Sequence, residues 1–308
     1  MIKVLMFDLG DTLIDAQRQP FAHVREALAA IARLKTAAGK PLRSCLVSDF
    51  PLAAPPATAS KVAVLFAQYL VVLDASGLRP LFEPVAKRVT LSTHAGVMKP
   101  DRAVFEKALR RLGVAATLEE CLLVTEDAGH VKAARGTLHM QALRFRPPGS
   151  AAGDFADWAD APALIAHQVA PDHAANLHTV VQAHLAAQGV ELVSAKAAAA
   201  GADVEAAGQV WCPVSVPGCD DLQGLRVALP VTSKIKRGPG GRLVRAPVRQ
   251  PSDADLDEAA AFVKSLATHD QIGGRAGAKA MQPSHPTHRI ETDAQGVKKL
   301  VRSRFSAV

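Results

Sequence analysis

Short apolar runs that each end in a polar loop, with helix-spaced segments between them, limit this fold more than any other feature. Ile2–Phe7 runs into Asp8-Leu9-Gly10-Asp11, Ser44–Val47 into Ser48-Asp49, and Cys121–Val124 into Thr125-Glu126-Asp127. Val85–Leu91 is strand-like, and Ala142–Phe145 closes the set. Runs this short, without polar alternation, read as strands buried on both faces. Between them, Phe21–Lys35, Lys61–Leu73, Asp101–Leu112 and His130–Thr137 carry apolar residues at helical spacing. Gly39-Lys40-Pro41 stops the first helix; Pro100 and Gly113 bracket the third. Strands alternating with helices predict an α/β fold with a parallel sheet.

A chain of 308 residues suits two domains. Pro147-Pro148-Gly149-Ser150-Ala151-Ala152-Gly153 marks the joint. The expected division is a first domain over 1–148, a linker over 149–164 and a smaller α+β domain over 165–308. In the latter, Leu177–Gln188 and Asp253–Ala267 read as helices, the second capped by Ser252. Leu225–Pro230 and Arg242–Val248 flank Gly238-Pro239-Gly240-Gly241 and read as a β-hairpin. His288–Glu291 and Val297–Phe305 read as a second hairpin. Gln271–Pro286, rich in Gly, Ala and Pro, reads as a mobile segment.

The formal charge of +7 permits contact with phosphate esters or nucleic acid without showing either. Its most concentrated part is the expected 225–252 hairpin, where Arg226, Lys234, Lys236, Arg237, Arg242, Arg245 and Arg249 occur without an acid. Such a hairpin can grip nucleic-acid phosphates, or can be a solvated edge that resists aggregation. It lacks the interleaved aromatics that stack single strands. Cys45 and Cys121 lie in apolar runs and read as core thiols, whereas Cys212 and Cys219 form no CxxC. His167, His173, His178 and His184 read as surface or capping residues, because their spacing fits no tight metal set. No apolar run approaches the roughly 18 residues of a membrane span, and no signal-like segment opens the chain. A cytoplasmic protein without a membrane partner is expected.

In open parallel sheets, ligands bind beyond the carboxyl ends of the strands, so loops after successive strands converge. Asp8 after the first strand can attack phosphorus or help hold a cation, though Asp-Gly loops are also common turns. Ser48 can donate to a phosphate oxygen, or serve as a loop residue or cap. Lys99, in Gly96-Val97-Met98-Lys99-Pro100-Asp101, can neutralise a transferring phosphoryl group or be a surface lysine. Glu126 and Asp127 can complete a hard-cation site or stand as solvated loop acids.

In order and spacing, these four loops resemble the haloacid-dehalogenase-like hydrolase superfamily over about residues 1–146. Phe7-Asp8-Leu9-Gly10-Asp11-Thr12-Leu13 is similar to its first motif, and Ser48 falls at its second. Leu81-Phe82-Glu83-Pro84, then Gly96 to Asp101 and Phe105, resemble the approach to its third. Leu122 to Asp127, with Val131, Ala133-Ala134-Arg135 and Met140, resemble its fourth. The resemblance implies a Rossmann-like core flanked by helices, a Mg²⁺ ion, and hydrolysis of a small-molecule phosphate ester through an aspartyl-phosphate on Asp8. It implies that Ser48 and Lys99 hold the phosphoryl group. It implies that Asp8, the Gly10 carbonyl and Glu126 or Asp127 hold the metal.

The chain departs from that pattern at three places. The general acid/base position, two residues after the nucleophile, is Gly10, and the candidate acid is Asp11, one residue later, which could serve only if the loop re-aims it. Such an acid/base is worth about 10²–10⁴ in rate. The usual Gly-Asp of the fourth motif is Thr125-Glu126, and a later Asp is His130, read as a surface helix residue or a replacement polar group. Glu reaches farther than Asp, and Mg²⁺ tolerates altered geometry poorly. The second reading is therefore a catalytically weak or inactive binding or scaffold protein, with its specific role, including nucleic-acid contact, in the C-terminal domain. Only about 35 residues separate the first and second motifs, too few for a large cap there.

Overall fold

The protein is described here by a computed structural model covering residues 1–199, 201–273 and 286–303. By internal contacts the chain divides into two compact units, Met1–His184 with Arg237–Arg245, and Leu185–Lys236 with Ala246–Val308. Residues 149–164, expected as a linker, belong to the first unit, where Trp158 is fully buried.

In chain order the first unit comprises β1 (Val4–Phe7), α1 (Val24–Ile31), β2 (Arg43–Ser48), α2 (Ala59–Ala75), α3 (Val85–Arg88), β3 (Val89–Leu91), α4 (Ser92–Ala95), α5 (Arg102–Leu112), β4 (Cys121–Thr125), α6 (Ala128–Gly136), β5 (Gln141–Arg144), α7 (Ala161–Val169) and most of α8 (Ala174–Ala186). The five strands are parallel, in the order β3-β2-β1-β4-β5. This is the expected Rossmann-like sheet. β1 is central and wholly buried, which is why its run carries no polar alternation. Successive side chains point to opposite faces. Val4 and Met6 pack with Cys45, Val47 and Leu123 beneath α5 and α6. Phe7 meets Trp158 on the other face, at 6.2 Å between ring centroids. Trp158 also packs against Phe145 and Phe155. Asp101 and Asp127 start α5 and α6 by accepting hydrogen bonds from Ala103 N and His130 N, at 2.8 and 2.7 Å.

Three expectations for this unit are corrected. Val85–Leu91 is not one strand: Pro84 opens the turn of α3, and only Val89–Leu91 joins the sheet edge. His130 is half-buried with its ring facing Asp49 and Asp127, and His184 is buried instead of lying at the surface. Burial, reinforced by Arg245 and Arg242, pushes the His184 imidazole down to about 4. The segment 237–245 packs within this unit, with Leu243 buried and Arg245 paired to Asp157 at 2.6 Å and Asp160 at 3.3 Å.

The second unit contains β6 (Glu191–Ala197), β7 (Val204–Pro213), β8 (Arg226–Ile235), α9 (Asp253–Thr268), β9 (Ile272–Gly273), β10 (His288–Thr292) and β11 (Lys298–Arg302), in a mixed sheet ordered β6-β7-β8-β11-β10-β9. The β10–β11 hairpin forms as expected. The expected 225–252 hairpin does not. β8 pairs along its whole length with β7, from Val204↔Ile235 to Pro213↔Arg226, and 242–248 makes a single bridge, Arg237↔Leu243. A ten-residue ladder outcompetes a turn across Gly238–Gly241. β6 and β7 escape sequence reading because Val193, Val204 and Val210 are their only β-branched residues, set among Ala and polar residues. Leu222, Leu225, Val227, Val263 and Leu300 form this unit's core. Residues 274–285 of the expected mobile segment, and Arg304–Phe305 of the last expected strand, lie outside the described residues. Among the described residues, no helix is long and apolar enough to cross a membrane.

Candidate functional site

β1 lies between β2 and β4, so the residues following these three strands meet at one sheet edge. Asp8 extends the ladder by one bond, its N–H donating to Val124 O at 3.0 Å, and then leaves the sheet. Its Oδ1 accepts from Leu9 N at 2.9 Å. Its Oδ2 receives the Lys99 ammonium and lies 3.3 Å from Thr125 Oγ1. The pair is deeply enclosed: the Lys99 side chain is 1% exposed and that of Asp8 11%. An ammonium and a carboxylate so placed compensate each other's desolvation.

Lys99 reaches this position from the loop between α4 and α5. That loop is fixed by Asp49, whose Oδ1 accepts from Lys99 N at 2.8 Å. Asp49 Oδ2 lies 3.9 Å from His130 Nε2, and His130 Nδ1 lies 4.0 Å from Asp127 Oδ1. Ser48 is buried at the end of β2, two residues past Leu46, which pairs with Phe7. Its Oγ accepts from Tyr69 OH at 2.8 Å, which leaves the serine hydroxyl proton available to a ligand. Burial pushes the Tyr69 phenol up, so it stays protonated as that donor.

Glu126 is the second carboxylate of the cluster. Thr12 Oγ1 donates to its Oε2, which also lies 3.3 Å from Thr125 Oγ1. Its backbone is pinned from both sides: Glu126 N donates to Thr12 Oγ1 at 3.0 Å, and Arg144 Nε donates to Glu126 O at 2.9 Å. Burial, and then the charge of Asp8, push the Glu126 carboxyl above its usual range, against the opposing Thr12 bond. Thr12 is itself held by Trp158, whose Nε1 donates to Thr12 O at 3.0 Å.

The structure thus brings together Asp8, Lys99, Glu126 and Thr125, and places Ser48 at the adjoining strand end. Asp11 is not among them. It is exposed in a left-handed turn (φ 51°), and among the described residues no hydrogen bond or ion pair ties its carboxylate to the cluster. Gly10 contributes backbone only, and a Cβ there would meet nothing within 4 Å. The acid/base position is therefore open space.

Of the Mg²⁺ ligands implied by the resemblance, Asp8, Gly10, Glu126 and Asp127, the three carboxylates are turned to protein partners, and Gly10 offers only its backbone carbonyl. Asp127 is turned into the N-cap of α6, and the His130 N–H bond holds its carboxyl below the usual range. Asp8 and Glu126 are engaged by protein donors. Among the described residues, no group of three or more His, Cys, Asp or Glu side chains could hold a metal. Tyr69, Asp49 and Trp158 were not singled out from sequence. The signal available in the sequence was that Tyr69 is the chain's single tyrosine. In the second unit a separate groove of about 600 Å³ runs between β8 and α9, lined by Arg249, Glu258 and Phe262 among others.

No family model and no curated protein matches the chain. Several solved structures do. An uncharacterized protein from Corynebacterium glutamicum is 17% identical, over 48% of this chain and 87% of that one, with a TM-score of 0.29. L-2-haloacid dehalogenase from Xanthobacter autotrophicus with chloropropionic acid covalently bound is 16% identical, over 56% and 85%, with a TM-score of 0.35. The putative HAD-hydrolase YfnB from Bacillus subtilis, bound to magnesium, is 15% identical, over 44% and 48%, with a TM-score of 0.31. Likenesses at this level assign no chemistry. Haloacid-dehalogenase-like hydrolases are thus among the solved structures to which about half of this chain is similar, and they are the superfamily its four loop motifs resemble.

Proposed function

We propose that the first unit is a hydrolase of small-molecule phosphate esters that works through a covalent intermediate on Asp8. The observation that carries this reading is the enclosed Asp8–Lys99 pair at the end of the central strand. An Asp8 oxygen attacks phosphorus as the ester P–O bond breaks and the alkoxide or phenoxide departs. Water then attacks the aspartyl-phosphate, releasing phosphate and restoring the carboxylate. Lys99 stays beside the reacting centre, where a fixed cation offsets the charge of the transferring group. The Ser48 hydroxyl, held by Tyr69, has a proton to give to a phosphoryl oxygen. The Mg²⁺ of the sequence-based expectation is not carried into this proposal, because the carboxylates meant for it are otherwise engaged.

Gly10 offers the departing oxygen no proton, so the reading favours esters whose leaving group departs as a stable anion. That same absence favours the second reading, a binding or scaffold unit with little turnover. Phosphate release from an aryl phosphate, compared between the wild type and Asp8→Asn, separates the two. Release that depends on Asp8 supports the hydrolase. Equal rates in both proteins across a pH series leave the scaffold reading.

A further inference from the structure

We infer that the site at the end of β1 excludes a divalent cation, and that Gly10 and Glu126 are the residues responsible. This rests on the placement of the site proposed above, but not on its turnover. Each carboxylate that faces the cluster has its own protein partners. Asp8 Oδ1 accepts from Leu9 N at 2.9 Å, while Oδ2 receives Lys99 and faces Thr125 Oγ1 at 3.3 Å. Glu126 brings Oε2 back between the Thr12 and Thr125 hydroxyls, where its extra methylene lets it fold. Asp127 Oδ1 lies 2.7 Å from His130 N and serves helix α6. Position 10 supplies no side chain at all.

A small hard cation such as Mg²⁺ requires near-ideal octahedral oxygen geometry, keeps several waters and is held by one or two carboxylates. Here a cation at Asp8 Oδ2 would meet the Lys99 ammonium, and one at Glu126 Oε2 would displace the Thr12 hydroxyl, while the single Thr125 proton is shared between these two carboxylates. The positive charge that the phosphoryl group needs is already supplied by Lys99, inside the fold. The space at Gly10 shows how the exclusion can be undone. A side chain there meets no atom within 4 Å, and φ at Gly10 is not in the left-handed region. Gly10→Asp with Glu126→Asp would restore one carboxylate and shorten the other so that it no longer reaches both threonines.

The test is calorimetric titration of the full-length protein with MgCl₂ and with MnCl₂ up to millimolar concentrations, with thermal denaturation in parallel. Wild type is expected to show no saturable heat and no rise in Tm, whereas the double variant gains a single saturable site and a Tm that climbs with cation concentration. One saturable site per wild-type chain that Asp8→Asn abolishes would overturn the inference. A folded double variant, by circular dichroism, that gains no binding would overturn the assignment to Gly10 and Glu126. If the double variant does not fold, the wild-type titration still decides. Turnover plays no part in these readouts. Phosphatase activity that requires both Mg²⁺ and Asp8 would overturn the inference while leaving the Asp8 reading intact.

Discussion

Replacing Lys99 by Met should cost this protein far more stability than a surface lysine does, and removing Asp8 as well should return much of it. Lys99 is 1% exposed and its partner carboxylate 11%, so neither can turn to water when the other is lost. Breaking one side of a buried pair costs about 3–5 kcal/mol. Asp8 keeps the bond from Leu9 N, worth about 1 kcal/mol net, and a share of the Thr125 hydroxyl, so the lower end of that range, about 3 kcal/mol, applies. In Asp8→Asn/Lys99→Met no charge remains and the shapes are nearly kept, so the double variant should lie within about 1 kcal/mol of wild type. The implied coupling is about 2 kcal/mol or more, well above what independent sites show. Urea unfolding at neutral pH in a Trp211→Phe background measures it. Trp158 is then the only tryptophan, and it reports on the first unit alone. The reasoning fails if Lys99→Met costs less than about 1 kcal/mol, or if the double variant is no more stable than Lys99→Met.

Tyr69→Phe should lose about 1 kcal/mol and lower Asp8-dependent phosphate release, because Ser48 is left without its partner; urea midpoints and initial rates check both. Trp158→Ala should cost about 3–5 kcal/mol, read as a lowered thermal midpoint, since a fully buried indole and its bond to Thr12 O vanish together. His184 carries a folded pKa of about 4 against an ordinary 6.5, so its stabilisation is complete above 6.5 and is lost as pH falls toward 4. The difference of about 2.5 units bounds that loss near 3 kcal/mol, and His184→Gln should remove it from a pH series of unfolding midpoints. Glu126 has the opposite sign: its carboxyl is raised, so its contribution is present on the acid side and lost as pH rises through the raised value. Glu126→Gln should flatten that limb of the same series. Across substituted aryl phosphates, release should rise steeply as the phenol becomes more acidic. A flat dependence would mean that some group supplies the proton Gly10 cannot.

The first unit was far more legible in the sequence than the second, and the reason is physical. β1, β4 and the Cys45–Val47 part of β2 are covered on both faces, so each appears as a short apolar run, and a polar residue ends each run at the carboxyl end of the sheet. That pattern singled out Asp8, Ser48 and Glu126 as candidates, with Lys99 added from the loop before α5, and the fold brings Asp8, Lys99 and Glu126 into one cluster with Ser48 at the adjoining strand end. It could not give orientation. Whether Asp127 faces a ligand or caps α6 depends on a single rotamer and one backbone bond, and Asp11 shares its loop with Asp8 while standing outside the cluster. Nor could spacing reveal Tyr69 or Trp158, which reach the site across 21 and 146 residues of chain. In the second unit, β7 carries only two β-branched residues, Val204 and Val210, among Ala, Gly and polar residues, so its composition does not mark it as a strand. Missing β7 is what made 242–248 look like the partner of β8, because turn chemistry at Gly238–Gly241 was then the strongest signal nearby. The basic residues of that stretch then distribute differently. Arg226 and Lys234 lie on β8, whereas Arg237, Arg242 and Arg245 belong to the first unit, two of them paired with Asp172, Asp157 and Asp160. A run of like charges in sequence becomes a surface only if one element carries it, and here two separate units divide it.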